Sequence, residues 1–247
     1  DPGSSRFYLS LEDELMRLFG SDNIANIMDK LGMEEDEPIE HALITRSIEQ
    51  AQKKVEARNF DIRKHVLEYD DVMNQQREVI YGQRRQILMG DNLKQNIMDM
   101  IYKLIDQEMD VYANEKLYPE EWEVDKLIKA CEALFVPEGK LVQSELEAMS
   151  RDELKETLQK AAQDAYAERE LLFGEDSMRE LEKVIMLKVV DSKWMEHLDQ
   201  MDMLREGINL RAYGQRNPLI EYKVEAFDMF QGMIANIQED IAKLMFR

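Results

Sequence analysis

The residues able to do chemistry are few and scattered. Asp70 and Asp71, in Leu67-Glu68-Tyr69-Asp70-Asp71-Val72, offer the hard carboxylate oxygens that divalent cations take. On a helix, however, neighbouring side chains point about 100° apart, so the pair does not converge on one ion. His41, His65 and His197 belong to neither a His-Glu-x-x-His nor a Glu-x-x-His spacing and read as structural or surface histidines. Cys131 is the single cysteine; it cannot form an internal disulfide or a thiolate cluster, which points to a reducing compartment, the cytosol. The sequence holds no glycine-rich phosphate loop and no nucleophile elbow, so nothing in it cradles a triphosphate or activates a serine. No catalytic residue, metal or cofactor is expected for these residues themselves.

A different kind of site stands out near the C-terminus. From Arg205 to Lys223 the basic residues Arg205, Arg211, Arg216 and Lys223 face only Glu206 and Glu221, a local positive excess in a chain of formal net charge -20. Within that stretch, Gly214 and Asn217-Pro218 interrupt the helical pattern and place Tyr213 at the apex of a turn flanked by Arg211, Gln215 and Arg216. An amphipathic ring on a stiff hairpin is suited to press on an extended polypeptide or to dock into a partner's mouth; an ordinary polar loop is the plain alternative. Met195, Met201, Met203, Met229 and Met233 fit either an adaptable peptide groove or helix core, and Trp194 reads as the core anchor of the hairpin.

The elements that must carry this tip are helical. Only 5 Pro and 10 Gly interrupt a chain rich in straight-chain residues, and its acidity argues against nucleic acid as a partner. The most apolar run, Val184 to Val190, is short and broken by Lys188, so no membrane span is expected. Short helices are expected over 10–19, closed by Gly20, and over 22–31, closed by Gly32. From Ile39 to Leu88 there is no proline, and Ile44, Ile48, Ala51, Val55, Ile62, Val66, Tyr69, Met73, Ile80 and Ile87 mark one helix of roughly 60 Å. Gly82 weakens its last turns by about 1 kcal/mol and is a candidate for its end. Shorter helices follow over Leu93–Tyr112, over Val124–Leu134 and from Ser150, where Glu153 completes a capping box. Pro119 to Glu182 holds 18 acidic residues against 8 basic ones, and is expected to be a solvated lobe folded on its own. Leu181, Ile185, Val190, Trp194, Leu198, Met201, Leu204 and Ile208 then form one apolar stripe. Ile220, Val224, Phe227, Phe230, Ile234, Ile237, Ile241 and Leu244 form a second, giving two antiparallel helices.

Several ordered stretches resemble the SecA family of ATP-driven preprotein motors. Asp1-Pro2-Gly3-Ser4-Ser5-Arg6-Phe7-Tyr8-Leu9-Ser10 resembles the segment after the last helicase motif of its second nucleotide-binding domain. Asn59-Phe60-Asp61-Ile62-Arg63-Lys64 with Leu67 to Val72 resembles its long scaffold helix. Asp191-Ser192-Lys193-Trp194-Met195-Glu196-His197-Leu198 and Asn209-Leu210-Arg211-Ala212-Tyr213-Gly214-Gln215 resemble its two-helix finger and tip.

The resemblance implies an all-α architecture: residues 1–33 as the C-terminal remnant of a RecA-like nucleotide-binding domain, 34–90 as the long scaffold helix, 91–175 as a helical wing, and 176–247 as the finger. It implies that the tip tyrosine, here Tyr213, contacts the translocating preprotein, with Arg211, Gln215 and Arg216 as the channel-docking tip. The implied partners are the SecYEG channel, the preprotein and the motor's own N-terminal nucleotide-binding domains. ATP and Mg belong to the parent motor, which works in the bacterial cytoplasm, peripheral on the inner face of the cell membrane, and whose finger region is associated with restraint of ATP turnover. The loop-like opening without an initiating Met reads as an excised piece, with the Walker motifs placed before Asp1 and a Cys- and His-rich zinc tail after Arg247. Two other classes make different predictions. A stand-alone coiled-coil interaction module requires sustained heptads and self-association, and a carboxylate-metal enzyme requires paired ligand motifs.

Overall fold

The computed structural model of the chain describes residues 3–4, 42–90, 92–211 and 217–246. The expected helices over 10–19 and 22–31, and His41, lie outside them. The described secondary structure is entirely helical: α1 (Ala42–Met89), α2 (Leu93–Tyr112), a 3-10 turn (Pro119–Glu121), α3 (Val124–Leu134), α4 (Gln143–Leu146), α5 (Arg151–Phe173), α6 (Glu175–Arg211) and α7 (Pro218–Phe246). The backbone divides into two compact units, Asp1–Asp71 and Val72–Arg247.

In the first unit the described part of α1 buries Ala51 and Tyr69, while Phe60, Ile62, Val66 and Leu67 stay exposed. Ile62 and Val66 therefore leave the expected buried stripe. His65 meets the edge of the Tyr69 ring at 5.7 Å, and Lys53 bonds Glu49 one turn back at 2.7 Å, an exposed pair of the kind that adds a few tenths of a kcal/mol to a helix.

The second unit is built round α2, which buries Leu93, Ile97, Met98, Ile101, Leu104, Ile105 and Met109 at helical spacing. It packs against α3, α5, α6 and α7. The buried side chains from Ile80 to Met245 form one continuous cluster, so the acidic stretch does not have the separate core expected of an independent lobe. Its charges other than Glu182 line the outer faces, while Leu127, Cys131, Leu154 and Leu158 point into the shared interior. Burial of such side chains is worth about 1.5–3 kcal/mol each, more than surface charge repulsion takes back.

Helix ends follow their sequence signals closely. Ser150 caps α5: its Oγ accepts from Glu153 N at 3.4 Å, and the Glu153 carboxylate accepts from Ser150 N at 2.8 Å. These bonds from Ser150 hold the Glu153 carboxyl below the usual carboxylate range. Arg151 reaches back to the end of α2, donating from Nε to the Ala113 carbonyl at 3.0 Å and pairing with Asp110 and Glu115, which satisfies a carbonyl that the helix terminus leaves over. Gly174, at φ 82° and ψ 149°, is the only residue between α5 and α6; that conformation suits glycine and strains any residue with a Cβ. Gly82 does not end α1. The helix continues to Met89, because Ile87 is buried in the shared core beyond it, and Gly90 at φ 78° closes it.

Candidate functional site

The geometry that bears on function is the seating of α6 and α7 on the C-terminal part of α1. Lys193 pairs with Asp240 at 3.0 Å, and the His197 ring lies 5.8 Å from that of Phe230. Later positions of α6 therefore meet earlier positions of α7, so the two helices run antiparallel as the sequence pattern expects. Their contact is the most extensive between any two of the described elements.

Half of the expected stripe residues are buried, Val190, Trp194, Met201, Leu204 and Ile208 on α6 and Phe230, Ile237 and Ile241 on α7, while the other expected places are taken by neighbouring positions. On α6 the fully buried set is Met178, Glu182, Met186, Val189, Val190, Trp194, His197, Met201, Leu204 and Ile208, while Leu181, Ile185 and Leu198 are half-buried. On α7 the buried side chains are Tyr222, Ala226, Phe230, Met233, Ile237, Ile241, Ala242 and Met245. Ile220, Val224 and Phe227, expected in the core, are each more than half exposed. Ala226 is buried in their place, and its backbone carbonyl is hydrogen-bonded by a side chain from α1.

That side chain is Gln76. Its Nε2 donates to the Ala226 carbonyl at 3.0 Å, and its Oε1 lies 2.8 Å from His197 Nε2. Since the Gln76 amide nitrogen is occupied as a donor, its oxygen must accept, and His197 carries its proton on Nε2. The other ring nitrogen, Nδ1, is buried and has no hydrogen-bond partner among the described residues. Burial lowers the His197 pKa, so the ring is neutral at neutral pH. Trp194 is buried and lies 5.7 Å from the His197 ring. About two turns along, Arg84 donates to Asp191 through two nitrogens at 2.9 and 3.3 Å, a forked pair that fixes direction as well as distance. Beside it an open groove of about 470 Å³ is walled by Tyr81, Arg84 and Leu88 from α1 and by Trp194 and Met195 from α6.

This seat was missed by motif reading. Its signal is a polar residue in register with an apolar face: Gln76 between Met73 and Ile80, and His197 between Trp194 and Met201. Of the residues singled out at the tip, Tyr213, Gln215 and Arg216 lie outside the described residues. Arg211 ends α6. Asp70 and Asp71 occupy successive positions of α1, and no group of three or more His, Cys, Asp or Glu is placed to hold a metal among the described residues. The methionines divide: Met201 and Met233 are core, Met195 and Met203 are exposed. No described helix is long and apolar enough to cross a membrane.

The model of the SecA wing and scaffold domain matches residues 38–247. The chain belongs to the SecA family. The SecA P-loop domain model matches residues 1–36, in line with a remnant of that domain ahead of the scaffold. Proteins named "Protein translocase subunit SecA" are similar over all 247 residues, at 60% identity in Pelotomaculum thermopropionicum, 57% in Desulforamulus reducens and 54% in Carboxydothermus hydrogenoformans. The chain spans 28% of the length of each of these SecA relatives.

Proposed function

We propose that this chain is the transmission of a protein translocase: a helical scaffold, wing and finger that carry nucleotide-driven domain movement to a polypeptide passing through the SecYEG channel. What supports this reading is the seat of the finger. A long helix is tied to both arms of a helical hairpin by the Gln76 clasp and the Arg84–Asp191 fork, so the middle of the hairpin follows the helix, and a displacement of one is delivered to the tip of the other. The tip supplies the contact. Tyr213 presses on the preprotein, while Arg211, Gln215 and Arg216 meet the mouth of the channel.

In this reading the chain holds no cofactor of its own. ATP and Mg are bound by the N-terminal nucleotide-binding domains of the complete protein, which works in the bacterial cytoplasm and peripherally on the inner face of the cell membrane. The same connection runs backwards, so the finger also restrains ATP turnover when no substrate engages it. Tyr213→Ala in the complete translocase is expected to impair preprotein transport into SecYEG vesicles several-fold while leaving ATP affinity within twofold. Unchanged transport would remove Tyr213 from the mechanism. For the restraint, ATP turnover by a separately produced N-terminal half is titrated with this chain; saturable suppression is expected, and no change in rate refutes it.

A further inference from the structure

Glu182 is the only carboxylate among the described residues that is wholly buried. It lies two turns into α6, just past the single-residue elbow at Gly174. Neither of its oxygens has a hydrogen-bond partner among the described residues. Arg179 Nη2 approaches Oε1 to 3.2 Å without the alignment of a hydrogen bond. The charges round it come from each neighbouring element. From α2, Lys94 bonds Glu170 at 2.6 Å and lies 5.2 Å above the Tyr166 ring. From α5, Glu170 bonds Arg179 as well, the Tyr166 hydroxyl stands 3.1 Å from Arg179 Nη2, and Arg169 stacks on Phe173. From α7, uncharged Phe246 meets the edge of Tyr166 at 6.4 Å. An open cavity of about 660 Å³, lined by Lys94, Tyr166 and Arg179 among others, brings solvent to the rim of this network.

We propose that this seam is a proton-operated latch on the Gly174 elbow: with Glu182 neutral the first turns of α6 stay closed on α5 and α2, and with Glu182 ionised they open. The physical asymmetry is plain. A neutral carboxyl is tolerated in an apolar wall, whereas a carboxylate with no aligned donor seeks water. Glu170 takes a bond from each of the two nearby cations, and no N–H of Arg179 is aligned on Glu182 in the closed seam, its Nε being buried without a partner among the described residues. Gly174 alone joins α5 and α6, so a change of angle between them is taken up at that residue.

Burial pushes the Glu182 carboxyl up to about 7 from its ordinary 4.5, with Lys94 pulling weakly the other way. If opening returns it to the ordinary value, the opening equilibrium rises about tenfold between pH 6 and pH 8. Hydrogen exchange of the 247-residue chain, corrected for intrinsic amide chemistry, reads this directly. Amides over 170–182 are expected to lose about tenfold protection across that interval, and Glu182→Gln to show equal protection at both ends. Equal protection in the unaltered chain, or an undiminished response in the variant, overturns the latch. A second measurement needs no variant: carbon-13 titration of the Glu182 carboxyl, followed together with the Gly174 amide. A shared midpoint near 7 supports the latch. A midpoint in the ordinary carboxylate range, or a Gly174 amide that does not follow the carboxyl, refutes it.

Discussion

Replacing Gln76 with Ala tests the finger seat most directly. The substitution removes both hydrogen bonds of the amide. The Ala226 carbonyl keeps its place in the ladder of α7, so its loss is small. His197 fares worse: its Nε2–H is left buried without an acceptor, at a cost of about 1–3 kcal/mol, and the one lost methylene brings the total to about 2–4 kcal/mol. His197→Leu alone strands the Gln76 oxygen instead. The double variant Gln76→Ala, His197→Leu leaves neither partner stranded and is expected to be less destabilised than the two singles added together, by about 1–3 kcal/mol. Urea unfolding at pH 7.5, followed by Trp194 fluorescence in a Trp122→Phe background, measures all four corners of the cycle. Additivity within about 0.5 kcal/mol would show that the clasp carries no coupling and that the seat is only apolar contact. The clasp also has a pH signature. Burial depresses the folded pKa of His197 below its ordinary 6.5, so the unfolded chain takes up the proton first. The stability this contributes is complete above pH 6.5 and is lost as pH falls through the folded value, a loss that His197→Leu abolishes.

Glu182 acts in the opposite sense. Its folded pKa is raised, so its stabilising contribution is present below 4.5 and is lost as pH rises through about 7. Glu182→Gln is accordingly expected to raise stability at pH 8 by up to about 3 kcal/mol and to change it little at pH 4.5; no gain at pH 8 in a urea titration would contradict this. Burial likewise pushes the Cys131 thiol up to about 12, so its reaction with a disulfide reagent at pH 8 should be at least a hundredfold slower than in the urea-unfolded chain; comparable rates would show that the thiol is accessible. Ser150→Ala, which removes the α5 cap, is expected to cost about 1 kcal/mol in the same urea assay, and Ser150→Gly only a few tenths; equal losses would assign the effect to something other than the cap.

Local chemistry decided the elements. The Ser150 and Glu153 capping box, the glycines at 90 and 174, and the spacing of Leu93, Ile97 and Ile101 act through neighbours within a turn or two, so the boundaries of α2 and α3 and the start of α5 were legible from residue order. The family resemblance was legible for the same reason, since it rests on contiguous runs. Packing decided the rest. Whether Leu198 or His197 faces inward, and whether Phe227 or Ala226 meets α1, depends on which helix lies opposite. An apolar stripe a hundred degrees wide offers two adjacent registers that composition alone does not separate. Glu182 and Gln76 read as surface residues until a second helix covers them. Burial then turns the first into a carboxyl that titrates near neutrality and the second into a clasp, because removing water raises the stakes of every polar group left without a partner. Sequence thus determined which helices form and which family they belong to. The clasp and the buried carboxyl exist only where distant helices exclude solvent together.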